Sequence, residues 1–364
     1  MTIHDITSFL EKIAPPSLQE NYDNAGLITG KADWQCTGII TTLDATEAVI
    51  QEAIDKKCNL VVAHHPIVFS GLKKITGRNY VEQTIITAIK NDIAIYAIHT
   101  NLDNVLSGVN GKIADKLGLI NRQILQPKTT TLKKMFTFVP VNYAEKVRSA
   151  IFAAGGGQIS NYSECSFNTP GSGTFKAGKG TNPFAGNIGE RHTEEEMKIE
   201  VIFPAWLEKP VLYAMLAVHP YEEVAYDIVA LENSNPTIGS GLVGELAAPM
   251  EEKTFLQNIK ENFNLSVIKH TALTGKPVKK VALCGGAGSF LIGAAIASGA
   301  GFYISADIKY HEFFDANGML VIADIGHYES EQFTIDLLFD ILREKFPTFA
   351  VLKTGVRTNP VQYF

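Results

Sequence analysis

Apolar runs that stop abruptly at polar, metal-binding chemistry set the pattern of this chain. Leu60-Val61-Val62-Ala63 leads directly into His64-His65 and then Pro66. Such a run reads as a strand buried on both faces, and Pro66, which cannot donate to a ladder, ends it. Ile93-Ala94-Ile95-Tyr96-Ala97-Ile98 behaves in the same way and enters His99-Thr100-Asn101-Leu102-Asp103. A third run, Met319-Leu320-Val321-Ile322-Ala323-Asp324, precedes Gly326-His327-Tyr328-Glu329-Ser330-Glu331. Gly38 to Asp44, Lys279 to Cys284 and Phe302 to Ser305 predict further strands, the last leading to Ala306-Asp307. Between them, helical spacing of apolar residues predicts helices over 4–14, 46–57, 81–91, 108–117 and 291–298, with Phe333 to Phe339 in an amphipathic helix. Strands alternating with helices predict βαβ units and a mainly parallel sheet.

The middle of the chain is different. Lys134 to Pro140 reads as a strand, Ala144 to Ala154 as a helix stopped by Gly155-Gly156-Gly157, and 160–198 as hairpins and loops. Lys198 to Phe203 alternates as a half-buried strand does, Glu208 to Val218 reads as a helix and Ala225 to Leu231 as a strand. This β-α-β…β-α-β order is that of a ferredoxin-like α+β module, placed at 128–242. The flanks, 1–127 and 243–364, then read as two α/β halves of one discontinuous domain.

Composition narrows the function classes. A chain of 364 residues, 46% of them hydrophobic, can bury two cores. The formal net charge of −6 disfavours nucleic acid as a partner, because phosphate binding rests on a basic surface. Cys36, Cys58, Cys165 and Cys284 lie far apart with no CxxC spacing, so free thiols are expected rather than a disulfide framework or zinc knuckle. No apolar run approaches a membrane span, and the first residues lack the pattern of a signal peptide. The cytoplasm is the expected compartment.

Three strand ends carrying His64-His65, His99 with Asp103, and His327 with Glu331 suggest ligands converging on one edge. The carboxyl ends of strands are where open α/β sheets bind ligands, and imidazole is a common metal ligand. His327 and Glu331, spaced i, i+4, share a face if both fall in the first turns of the final helix. Adjacent histidines on a regular strand point to opposite faces, so two ligands from one pair fit a breaking strand or a pair of ions about 3.5–4 Å apart. Mixed imidazole and carboxylate ligands suit Zn, Fe or Mn. The competing explanation is unrelated polar residues, which requires coincidence at three separate strand ends. Asp44 and Asp307 could orient ligating histidines from behind. His99 and His311 are candidate proton carriers. Gly285-Gly286-Ala287-Gly288 with Asp307 is a partial dinucleotide fingerprint, but Leu291 replaces its third glycine and a tight helix–sheet turn explains it better.

Asp23-Asn24-Ala25-Gly26-Leu27, Ala63-His64-His65-Pro66, His99-Thr100-Asn101-Leu102-Asp103, Asp307-Ile308-Lys309-Tyr310-His311-Glu312 and Gly326-His327-Tyr328-Glu329-Ser330-Glu331 resemble, in order and register, the NGG-one-interacting-factor-three-like family. Its bacterial members are named GTP cyclohydrolase 1 type 2 homologues. The central module resembles the insert of the longer bacterial members, which is similar in fold to the signalling protein PII. The resemblance implies two divalent metal ions per chain on His64, His65, Asp103, His327 and Glu331, with Glu331 as the bridge. It also implies a homohexameric toroid, a trimer of dimers. The expected function is a metal-dependent hydrolase acting on a nucleotide or related small molecule, as in GTP ring opening. The alternative is a ring-forming scaffold or regulator with structural metals and a ligand-sensing insert.

Overall fold

The computed structural model describes residues 1–364. The chain divides into two compact units, Met1–Pro127 together with Pro236–Phe364, and Lys128–Asn235. The fold is mixed α/β with three sheets. The first unit begins with α1 (Ile3–Ile13), β1 (Gly26–Thr29), β2 (Ile39–Asp44), α2 (Glu47–Asp55), β3 (Leu60–His65), α3 (Tyr80–Lys90) and β4 (Ala94–Ala97). The single turn α4 (Thr100–Asp103), α5 (Val109–Lys116) and β5 (Ile120–Pro127) follow. The second unit contains β6 (Leu132–Pro140), α6 (Ala144–Ala153), β7 (Phe167–Lys176), β8 (Arg191–Pro204), α7 (Glu208–Val218) and β9 (Tyr226–Leu231). The first unit resumes with β10 (Gly239–Met250), α8 (Glu252–Asn262), β11 (Lys269–His270), β12 (Val278–Ala287), α9 (Ile292–Ala297), β13 (Phe302–Ala306) and β14 (Val321–Asp324). It closes with α10 (His327–Glu331), α11 (Thr334–Lys345) and β15 (Val351–Lys353). No helix is long and apolar enough to cross a membrane.

The first unit holds two sheets rather than one. Their orders are β1-β4-β3-β2-β15 and β11-β14-β13-β12-β10-β5. Parallel pairing joins β15, β2, β3 and β4 in one, and β12, β13 and β14 in the other, with antiparallel strands at the margins. In the first sheet, Ile40, Val61, Ala63 and Ile95 pack with Val49, Ile50 and Ala53 of α2 and Ile85 and Ala88 of α3. Their strand neighbours point to the opposite face, where the Thr41 hydroxyl donates to the Ile335 carbonyl of α11 at 3.2 Å. Helices on both faces are what continuous apolar strands require. In the second sheet, Ala282, Tyr303 and Ile322 pack with Ile292 and Ala295 of α9, and Phe302 meets Phe255 of α8 edge-on at 5.1 Å.

β5 and β10 carry little strand signal in the sequence. Asn121, Arg122 and Gln123 interrupt the first, while Gly239, Gly241, Gly244 and Pro249 are breakers within the second. Pairing supplies what local preference lacks: β10 lies antiparallel between β5 and β12. The expected module boundary at 242 therefore falls inside a strand of the first unit, and the chain returns to that unit at Pro236. Gly239 lies opposite Pro127, so the chain leaves and re-enters at neighbouring positions.

In the second unit, the sheet order is β7-β8-β6-β9, all antiparallel. Met135, Val139, Ile199, Val201 and Phe203 on one face pack against Val147 and Ile151 of α6 and Val211 and Met215 of α7.

The turn carrying Asp103 is wedged against the start of α5. A Cβ on Gly108 would lie 1.8 Å from the Leu102 carbonyl oxygen. That backbone atom cannot rotate away, so Gly108→Ala is expected to cost about 1–3 kcal/mol through overpacking, read as a lower denaturant midpoint at unchanged m-value.

Candidate metal centre

The site is assembled at the carboxyl ends of parallel strands from both sheets of the first unit. β3 stays hydrogen-bonded to β2 as far as His65, which lies opposite Asp44, while its pairing with β4 stops at Ala63 and Ala97. There the two histidines depart from simple alternation. Their ring centroids stand 4.9 Å apart, and His64 Nδ1 donates to the Ile98 carbonyl just beyond β4 at 2.8 Å. His327 and Glu331 share a face, as their i, i+4 spacing allows, but on α10, a short helix that precedes α11, rather than in the first turns of the final helix. Asp103 ends the single turn α4, directly after His99.

Glu331 is the centre of this arrangement. Its carboxylate is only 3% exposed, yet its two oxygens face different partners. Oε1 lies 3.8 Å from His64 Nε2, which is itself 3.6 Å from Asp103 Oδ1. Oε2 lies 3.0 Å from His65 Nε2 and 3.2 Å from His327 Nε2. Three groups of three result, His64 with Asp103 and Glu331, His65 with His327 and Glu331, and His64 with His65 and His99, each with potential ligand atoms within 4.8 Å of one another. Two ligands of one tetrahedral ion at about 2.1 Å stand about 3.4 Å apart, so these separations suit shared coordination. His64 Nε2 and Asp103 Oδ1 are buried and make no hydrogen bond. Leaving such atoms unsatisfied costs about 1–3 kcal/mol each, a cost that coordination removes. The donor set therefore fits a metal ion, and its mixture of imidazole and carboxylate suits Zn, Fe or Mn better than Ca.

The atoms behind these residues fix which nitrogen faces inward. His65 Nδ1 meets Asp44 at 2.7 Å, and His327 Nδ1 meets Asp307 at 2.6 Å. With His64 Nδ1 on the Ile98 carbonyl, all three histidines turn Nε2 towards Glu331. Such partners orient a ligand and raise its basicity. Burial lowers the affinity of His65 for a proton, but hydrogen bonds to Asp44 and Glu331 outweigh it and bring its pKa to about 10. For His327, burial is likewise outweighed by Glu331 and Asp307, giving about 9. Burial opposes ionisation of Glu331, yet His327, His64 and His65 hold it well below the usual carboxylate range. Asp103 is pushed up to about 7 by burial and then by the Glu331 charge.

The glycine run has a spatial role here. β12 continues through Gly285 and Gly286 to Ala287, in place of the expected tight loop. Gly286 has φ +61°, and a Cβ there would come 2.5 Å from Glu331 Oε1. Its amide donates to Ser330 Oγ at 2.9 Å, and the Gly285 amide donates to Asn110 Oδ1 at 2.9 Å. These glycines admit the Glu331 carboxylate.

His99 lies beside two of the inward-facing rings, its centroid 5.2 Å from His64 and 5.4 Å from His65. Its Nδ1 bonds Asp23 Oδ1 at 2.8 Å, while Asp23 Oδ2 accepts from the Thr100 amide and hydroxyl. Burial raises the Asp23 pKa, but His99 and Thr100 outweigh it and lower it to about 2. The sequence signal for Asp23 is its place in Asp23-Asn24-Ala25-Gly26, and that for Ser330 its place between His327 and Glu331; Asn110 has none. His311 is not brought to this group. It is exposed on a 3-10 turn, and its ring contacts are Tyr310 and Phe314. A cavity of about 440 Å³ opens over His65, His99, Asp103, His327 and Glu331, with Tyr22, Phe69, Tyr80 and Phe290 among its walls.

Comparison with known proteins points to one family. The model of Duf34/NIF3 (NGG1p interacting factor 3) matches residues 1–360. A Halalkalibacterium halodurans protein named GTP cyclohydrolase 1 type 2 homolog is 37% identical over 364 residues, covering 98% of each chain. A Bacillus subtilis protein of the same name is 39% identical over 325 residues, covering 89% of this chain and 87% of its own. The solved Bacillus cereus protein related to NIF3 superposes with a TM-score of 0.88 at 36% identity, covering 100% of this chain and 99% of its own. The chain belongs to the Duf34/NIF3 family.

Proposed function

We propose that the protein is a dinuclear metal-dependent hydrolase acting on a nucleotide or related small molecule. The observation that carries this reading is the Glu331 carboxylate, whose two oxygens each face a separate ligand group. His64 and Asp103 would hold one ion, His65 and His327 the other, with Glu331 between them. Bound there, two divalent ions would supply an activated water near neutral pH and a Lewis acid for a substrate oxygen. His99, oriented by Asp23 through Nδ1, would hold or move a proton at Nε2. Tyr22, Phe69 and Phe290 offer aromatic walls on which a planar base can lie, and Phe69 also packs edge-on against His99 at 5.5 Å. The names of the relatives supply the substrate class to test first, GTP.

The same reading takes the active form as a homohexamer, a trimer of dimers in a toroid, working in the cytoplasm. It also takes the second unit as a ferredoxin-like, PII-like insert, because β-α-β-β-α-β in the order β7-β8-β6-β9 is that module's arrangement. A second reading, a ring-forming regulator with structural metals, is favoured by a separate cavity in the second unit. His65→Ala separates them: the hydrolase loses turnover and keeps its assembly, whereas the regulator loses assembly.

Elemental analysis of the purified protein is expected to give about two transition-metal equivalents per chain. Asp103→Ala should retain about one, and Glu331→Ala should lose both. No uptake by the wild type on titration would sink the hydrolase reading.

Gly286→Ala is expected to lower metal affinity by about 10–100-fold, since the added methyl displaces a ligating oxygen. Unchanged affinity by competition with a chelator would refute that role.

For the metal-loaded protein, a screen of GTP and phosphoesters should reveal turnover that His99→Gln lowers by about 10²-fold at unchanged metal content. Loss of metal in this variant would instead make His99 a ligand.

A further inference from the structure

The second unit contains a cavity of about 640 Å³ that the hydrolase chemistry does not use. It lies on the sheet face opposite α6 and α7. Val139, Ile199 and Val201 point towards the helices, so Phe138, Glu196 and Lys198 point away from them. Loop residues 177–184 and 221–225 complete its walls. At 300–1,000 Å³, cavities are large enough to enclose a small organic molecule.

The strand pattern makes the space. Gly171 lies directly opposite Glu196 in the register of β7 with β8, and Gly173 lies two residues further along the same face. A Cβ on Gly171 would meet nothing within 4 Å, whereas one on Gly173 would come 2.1 Å from Glu196 Oε2. Glycines here uncover a carboxylate that the rest of the unit encloses.

Glu196 is 8% exposed and lines the cavity. Its Oε1 accepts from the Tyr221 hydroxyl at 2.7 Å, and Oε2 accepts nothing from the chain. Tyr221 is itself held. Its amide donates to His219 Nδ1 at 3.1 Å, and His219 Nε2 donates to the Phe138 carbonyl at 3.1 Å. That pair of bonds fixes the neutral tautomer of a histidine whose burial already disfavours its charged form. The carboxylate is thus anchored at one oxygen and open at the other, and an enclosed carboxylate calls for a cation or a strong donor.

The surroundings say which kind. Tyr221 packs with Phe175 at 6.1 Å and with Phe184 at 6.0 Å, forming an aromatic wall beside the carboxylate. Glu222 and Glu223 add negative charge, and the Glu222 carboxylate accepts from the Asn182 amide at 2.9 Å. Of the two lysines present, Lys198 is bound to Glu200 at 2.7 Å and lies 4.4 Å above the Phe136 ring, leaving Lys176 as the other positive group. An inorganic cation would leave the aromatic wall without a partner, and an anion would meet three carboxylates.

We propose that this cavity binds a small organic ammonium ion, with its charged nitrogen on Glu196 Oε2 and its apolar body against Phe175, Phe184 and Tyr221. Aromatic faces and a carboxylate attract such a cation together.

The test is calorimetric titration of the full chain with phenethylamine, tryptamine and benzyltrimethylammonium, each beside its neutral or anionic analogue. For tryptamine these are indole-3-ethanol and indole-3-propionate. At least one amine should bind saturably with a Kd below about 1 mM, and at least about tenfold more tightly than its neutral analogue. Glu196→Gln should abolish that preference. Gly171→Leu, which projects into open space, should block binding without lowering the unfolding midpoint. Saturable binding by none of the amines, equal binding of amine and alcohol, or preference for the propionate would overturn the proposal. So would intact amine binding in both variants, or a change in oligomeric mass alone on substituting Glu196.

Discussion

A carboxylate buried as deeply as Glu331 is the constraint around which the first unit is built. An ionised carboxylate out of water carries a penalty of several kcal/mol unless positive charge and hydrogen bonds compensate it. Three histidine Nε2 atoms lie within 3.8 Å of its two oxygens. Each of those histidines is in turn tied at Nδ1 to Asp44, Asp307 or the Ile98 carbonyl. Protons and metal ions compete for such a group, because the same nitrogens that carry a proton beside Glu331 must release it to become ligands. The high proton affinity of His65 and His327 and the strong electrostatic demand of Glu331 are two aspects of one charge balance.

The backbone makes this charge balance possible. β2 delivers Asp44, β3 the adjacent histidines, β13 Asp307, and the segments after β4 and β14 deliver Asp103, His327 and Glu331. All emerge from the carboxyl ends of parallel strands, where open α/β sheets place ligands. Two parallel cores facing one carboxylate also explain why a pair of adjacent histidines suffices. β3 loses its β4 neighbour after Ala63, which frees His64 to turn towards Ile98 while His65 remains beside Asp44.

What can be read directly from the sequence is where strong local patterns and chemistry coincide. Continuous apolar strands ending in His64-His65, His99 and the His327 segment are visible because burial on both faces leaves no alternation. The orienting roles of Asp44 and Asp307 follow from the same placement. Less visible is whatever depends on a distant neighbour. β5 and β10 exist through mutual pairing despite their glycines and polar residues. Gly285 and Gly286 look like a nucleotide fingerprint because composition does not reveal that Glu331, far along the chain, needs their space. The break between α10 and α11 lacks a proline or glycine to mark it. His311 sits in a motif yet its ring meets Tyr310 and Phe314 rather than the ligand group, since membership of a motif does not fix a side chain's neighbours.

The pairing of β15 with β2 has a consequence for the order in which the molecule can be completed during synthesis. Thr41 and Leu352, 311 positions apart, lie side by side, so one edge of the first parallel core stays open until residues 351–353 have been made. An open edge is a template for wrong partners, and contacts this distant in the chain form late. His64 and His65 leave the ribosome long before His327 and Glu331. Until then His64 and His65 lack the Glu331 carboxylate that their Nε2 atoms face in the folded chain. Assembly of the candidate site therefore waits for α10, and a ribosome stalled within α11 would hold a polypeptide with all five candidate ligands made but its first sheet unfinished.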